Sequence, residues 1–270
     1  MPTRRILRPW TQQPQVATRL RPALLGPDGL LEAVVAASPV GLVDGLPLQY
    51  SAPPLYYTPG VGPAGRYIGA GVTNTTTYVG CTSRTISVSQ SVTYVAQFTP
   101  NLAPTSLKSV TRSGTYQMPI GVGYAGSPRI CTSFRLDGDS LQTYVATDYD
   151  AVVGQPYCAV AVFEFGRGIS LYVNGEWIGD YSDTRALIVT NSNASWFSWA
   201  GVGFAATFLR ALSREEAVEI SGNPWILFEP QQIYVPRSAG EAGYTHPTLS
   251  NARMIWTGLG AGKPAIDYTW

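Results

Sequence analysis

From residue 67 onward, apolar and polar positions alternate with a period of two, the pattern of strands that bury one face. Residues 75–79, 85–88 and 92–98 are predicted strands on that pattern, separated by Gly, Ser and Pro. Residues 114–124 and 129–136 continue the series, and Asp137-Gly138-Asp139 is predicted to turn the chain into a returning strand at 141–147. The run 157–165 is long and apolar, as expected of a strand covered on both faces. Two β-patterned runs, 169–173 and 176–181, flank Asn174-Gly175, a dipeptide suited to a type I′ turn because both central residues need φ > 0. After a further apolar stretch at 199–209, Ser213-Arg214-Glu215-Glu216 forms a Ser-x-x-Glu capping box that opens a short helix. Gly222, just past the expected helix end, and Pro224 are its predicted terminators, and Trp225-Ile226-Leu227-Phe228 is an apolar plug. Short strands with one late helix predict two packed antiparallel sheets.

The flanks read differently. Residues 1–60 form an expected extended N-terminal arm and assembly-contact region, rich in Pro, Arg and Gln. Within it, Pro53, Pro54 and Pro59 occur with Tyr56 and Tyr57, which suits extended chain running over a surface. The sandwich is assigned to residues 61–235, and residues 236–270 to a linker followed by a C-terminal strand extension.

Composition narrows the class. Of the 270 residues 45% are hydrophobic and 13% charged, so the chain as a whole does not fit the disordered class. A net charge of +1 gives no global attraction to nucleic acid or to an acidic membrane. Arg4, Arg5, Arg8, Arg19 and Arg21 nevertheless all precede the first acid, Asp28. That cluster reads either as a solvated arm or as a docking arm, with Arg4, Arg5, Arg8 and Trp10 as its assembly contacts. The apolar residues 23–43 are interrupted by Gly26-Pro27-Asp28-Gly29 and Pro39, which argues against a membrane span or a signal peptide. Cys81, Cys131 and Cys158 show no Cys-x-x-Cys spacing, and His246 is the sole histidine, so a zinc site lacks its usual ligands. The cysteines are expected to be reduced core residues.

Three short segments carry a family resemblance: Leu171-Tyr172-Val173-Asn174-Gly175-Glu176, Gly201-Val202-Gly203 and Leu212-Ser213-Arg214-Glu215-Glu216. In this order they resemble laminin-G-like domains. The resemblance implies an all-β, concanavalin A-like (laminin-G-like) antiparallel β-sandwich, or jelly roll, with one short helix and extended N- and C-terminal arms. Arg8-Pro9-Trp10-Thr11-Gln12-Gln13-Pro14-Gln15 is similar to the start of structural proteins of tailed bacteriophages and prophages. The run from Asn223 to Phe228, and the C-terminal alternation of Ile266, Tyr268 and Trp270, resemble segments of the same proteins. Together these imply a non-enzymatic virion structural protein, tail- or baseplate-associated or a capsid decoration, made in the host bacterial cytoplasm. The implied partners are other virion proteins and further copies of the chain, with no nucleic acid and no membrane insertion. The alternative is a receptor- or glycan-binding module of a tail fibre or baseplate, with a host surface glycan as partner.

The acids and aromatics of the chain bear on chemistry as well. Sandwich glucanases resemble one another in a Glu-x-Asp-x-x-Glu strand that sets two carboxylates about 5 Å apart for retaining hydrolysis. No such spacing occurs in this chain; Glu164 has no carboxylate two residues away, and Glu176 follows a turn. No cofactor is expected. A calcium ion is the one exception considered, on Asp137, Asp139, Asp148 and Asp150, although these read more simply as solvated turn residues. Glycan binding would use Trp177 and Tyr181 on the hairpin and Trp196 and Trp199 further on, because a flat ring offers an apolar face to a sugar. Such aromatics serve equally as core or subunit contacts.

Overall fold

A computed structural model describes residues 20–21, 29–35, 42–43, 49–50, 55–59, 66–70, 78–80, 90–100, 107–113, 117–123, 127–138, 143–187, 194–197 and 200–228. The strands before the long central pair are β1 (Leu30–Val35), β2 (Gln49–Tyr50), β3 (Leu55–Pro59), β4 (Arg66–Ala70) and β5 (Tyr78–Gly80). Then come β6 (Val92–Pro100), β7 (Lys108–Ser113), β8 (Gln117–Val122), β9 (Arg129–Phe134) and β10 (Thr143–Asp150). The series ends with β11 (Tyr157–Glu164), β12 (Gly168–Val173), β13 (Glu176–Ser182), β14 (Ala194–Phe197), β15 (Ala200–Phe208) and the helix α1 (Arg214–Gly222).

The strands form two sheets. The larger runs β13-β12-β11-β6-β15-β4-β3, with β1 also paired to β15. The smaller runs β10-β9-β8-β7-β14-β5-β2. Every strand pairing is antiparallel, so the expected all-β sandwich with one short helix is the observed fold.

Alternation sorts the side chains of the larger sheet between two cores. Tyr94, Ala96 and Phe98 of β6 and Ala159, Ala161 and Phe163 of β11 face the smaller sheet, where they meet Ile120, Val122, Ile130 and Phe134. Val95, Cys158, Val160 and Val162 point the other way, into a second core closed by Ala217 and Ile220 of α1 and by Leu227 and Phe228. With a core on each side, β6 is buried at every position. The same arrangement explains the long apolar run of β11. The plug expected of the residues after the helix is therefore in place.

Hairpin and helix lock together at glycines. Asn174 and Gly175 have φ of 51° and 89°, as a type I′ turn requires. The Cys158 N–H donates to Asn174 Oδ1 at 2.9 Å, and the Gly175 N–H donates to Ser221 Oγ at 3.1 Å. At the helix start the Glu216 N–H donates to Ser213 Oγ and the Ser213 N–H to Glu216 Oε2, the reciprocal pair of a capping box. Gly222 was expected just beyond the helix but is its last residue, with Asn223 as the cap. Its job is close approach: a Cβ there would lie 3.2 Å from Gly175 Cα.

Other expectations shift. Strands β1, β2 and β3 fall within residues 1–60, so part of the expected arm belongs to the sheets. Residues 55–59, expected to run over a surface, form the edge strand β3, where Pro59 is tolerated. The run 114–124 shortens to β8, and β7, which has no strong apolar pattern, precedes it. Residues 75–77, 85–88 and 229–270 lie outside the described residues, and with them most of the first two predicted strands and the C-terminal extension. Among the described residues no helix is long and apolar enough to cross a membrane.

Cys131 and Cys158 are free and fully buried. Burial pushes the Cys131 thiol up to about 12 and that of Cys158 higher. A thiol this hard to ionise and shielded from solvent reacts slowly. In the native chain neither is expected to be alkylated over an hour, and both should be on unfolding in guanidinium, read by peptide-resolved mass spectrometry. Native labelling within minutes would contradict the burial.

Candidate functional site

The β12–β13 hairpin forms the exposed edge of the larger sheet, and its register decides what it presents. Leu171 pairs with Gly179 but Tyr172 pairs with Trp177, so Ile178 is one residue too many on β13. Cross-strand partners share a face. Trp177 therefore sits on the outer face with Tyr172, which belongs to the helix-covered core. Tyr181 pairs with Ile169, a residue of the inter-sheet core, and lies on the opposite face. In an unbulged strand residues four apart would share a face. The bulge thus puts the two hairpin candidates on opposite faces, although both rings are exposed, at 48% and 39%.

Outward of β12 and β13, where the chain enters α1, lies a groove of about 640 Å³. Its floor carries Val162, Ser170 and Tyr172, one wall carries Asp180, and the other is the segment 210–216. Glu164 and Arg167 close one end with an ion pair at 3.1 Å. On the helix side, Arg210 donates both arms of its guanidinium to Glu216, at 2.6 and 2.7 Å. That fork is the main reason the Glu216 carboxyl is held below its usual range; burial opposes it and the Ser213 N–H assists. The guanidinium of Arg214 stacks over the Trp177 ring at 5.8 Å.

Tyr172 reports the electrostatics of the floor. Burial pushes its phenol up, a hydrogen bond from Ser170 and the charge of Arg214 draw it back, and Asp180 and Glu215 add to the rise. Three carboxylates (Glu164, Asp180, Glu216) and three guanidinia (Arg167, Arg210, Arg214) line the groove, so it carries no net charge.

Most of the remaining sequence candidates lie outside the described residues. Trp196 belongs to β14, an interior strand of the smaller sheet, and its side chain is outside the described residues, as is all of Trp199. Arg4, Arg5, Arg8 and Trp10 are also outside them. Of the calcium candidates, Asp150 pairs with Arg129 at the start of β9, while Asp137 follows that strand's far end. Asp139 and the side chain of Asp148 are outside the described residues, and among those described no three His, Cys, Asp or Glu residues are grouped to hold a metal ion. Sequence inspection missed Asp180, Arg210 and Arg214 as site residues. Arg214 sat in view inside the capping box, but only the tertiary fold brings it to β13.

No protein-family model matches the chain. No curated protein matches it either. Solved structures do match it. Domain 4 of an extracellular GH43 arabinanase from Geobacillus stearothermophilus, solved with arabinotriose, aligns at 12% identity and a TM-score of 0.54, over 71% of this chain and 98% of that one. The binding domain of Paraclostridial mosquitocidal protein 1 aligns at 13% identity and a TM-score of 0.56, over 73% of this chain and 52% of that one. The receptor-binding domain of botulinum neurotoxin mosaic serotype C/D gives 9% identity and a TM-score of 0.55, over 72% of this chain and 50% of that one. At this identity the likeness is one of fold: the chain is built as an antiparallel, jelly-roll-like β-sandwich.

Proposed function

We propose that this chain is a non-enzymatic structural protein of a tailed-phage particle, which displays its sandwich outward and is docked to neighbouring subunits through its termini. One observation carries the display reading. The chain enters the described sandwich at Leu20 and leaves it at Phe228, and the two residues form an antiparallel bridge. The Arg21 N–H donates to the Leu227 carbonyl at 3.0 Å, and Arg21 Nε donates to the Phe228 carbonyl at 3.1 Å. The chain before Leu20 and the chain after Phe228 are therefore joined to the sandwich at one place. Placement in a phage particle draws its support from the sequence resemblances around Trp10, Trp225 and Trp270.

Deleting residues 2–18 spares Leu20 and Arg21. The truncated protein is expected to melt with the full chain yet to be missing from purified particles, as read by quantitative mass spectrometry. Normal incorporation of the truncated protein would overturn the docking role.

The displayed surface favours carbohydrate as its ligand, the second reading, because the outer groove is polar, uncharged overall and flanked by an exposed indole. The same fold carries arabinotriose in the arabinanase domain.

A further inference from the structure

We propose that the groove between β13 and the start of α1 binds an uncharged saccharide, with Asp180 and Arg214 as its hydrogen-bonding pair and Trp177 at its rim. The proposal rests on the reading of the displayed face as carbohydrate-binding and gives it a site and a ligand class.

The groove has the volume of a small-ligand cleft. Its charges are unequally committed. Arg210 and Glu216 hold each other through a two-armed fork, and Arg167 and Glu164 are paired across the turn. Asp180 and Arg214 are in no ion pair among the described residues, and both are exposed. Both line the same groove as Tyr172. A carboxylate accepts from two hydroxyls and a guanidinium donates two parallel N–H groups, the complement that vicinal sugar hydroxyls require. Trp177, next to Tyr172 across the strand pair, lies beside the groove with Arg214 over one face of its ring.

The same charges select against an anion. A carboxylate or phosphate drawn to Arg214 would also meet the Asp180 carboxylate in the same groove. One drawn to Arg210 would have to displace Glu216 and leave that half-buried carboxylate unpaired. A neutral polyol faces neither obstacle.

The test uses the full-length chain on an array of neutral oligosaccharides (arabino-, gluco-, galacto- and manno-series) and acidic ones (sialyllactoses, oligogalacturonates), followed by titration calorimetry on the hits. A neutral glycan is expected to bind with an affinity unchanged between 50 and 500 mM salt. Asp180→Ala and Arg214→Ala should each weaken it at least tenfold, Asp180→Asn less so, and all should melt with the parent. Val153→Ser, in an exposed loop away from the groove, should bind as the parent does. Binding of a neutral glycan that ignores Asp180→Ala and Arg214→Ala overturns the site and leaves carbohydrate binding standing. Binding confined to acidic glycans overturns the ligand class. No binding to any glycan overturns the carbohydrate reading itself, and this proposal with it.

Discussion

Phe134→Ala is expected to destabilise the sandwich by about 4 kcal/mol, the middle of the range for truncating a buried aromatic. Phe134 is fully buried and comes from β9 of the smaller sheet. Its ring centroid lies 6.2 Å from Tyr94 and 6.0 Å from Phe163, both on the larger sheet. The substitution would thus open a void between two layers that are each braced by strands on either side, with little room for collapse. Equilibrium denaturation in urea should show a lower midpoint with an unchanged slope. Phe134→Leu, which refills most of the volume, is expected to cost about 1.5 kcal/mol or less. A loss below about 1 kcal/mol for the alanine variant would mean that this ring does not bridge the sheets as described.

Gly168→Ala is expected to cost about 3 kcal/mol and to loosen the groove wall before the rest of the fold. Gly168 has a φ of +125°, and a Cβ built on it would land on the Tyr181 carbonyl oxygen. The Asp183 nitrogen at 2.8 Å and Ser182 Cα at 3.0 Å leave no other way out, and all of these atoms are backbone. Only movement of β13 can relieve the contact, so amide protection across residues 176–182 should fall further than in β6 or β11. Gly166→Ala separates crowding from dihedral strain, because its φ is +83° but nothing lies within 4 Å of the added Cβ. It should cost about 1–2 kcal/mol, the left-handed penalty alone. Equal effects at the two glycines would remove steric crowding as the cause.

The strands legible in the sequence were those whose neighbours impose a pattern. β11 announced itself because two cores cover it, and Asn174-Gly175 because a type I′ turn leaves few other choices. The capping box was readable because both its hydrogen bonds are local. β1 was not readable as a strand: its apolar run has no alternation, and its place beside β15 is set by residues 169 to 178 positions later. β7 has a single strong apolar residue, Val110, and irregular pairing. The candidate site was legible only in part. An exposed Trp177 follows from its place after a turn, but the extra residue at Ile178 has no sequence signature, and it decides which face the indole takes. The juxtaposition of β13 with residues 210–216 is likewise a product of tertiary packing.

The bridge between Leu20 and Phe228 also has a mechanical meaning. In an antiparallel pair, the chain before the first residue and the chain after the second leave from the same end. If both segments are held at one anchor, a drag on the sandwich passes through them in parallel and exerts no shear across its sheets. If the anchors move apart, the load peels this single bridge open from its end, one hydrogen bond at a time. The bridge between Leu20 and Phe228 would then be the first contact to yield, ahead of the two sheets.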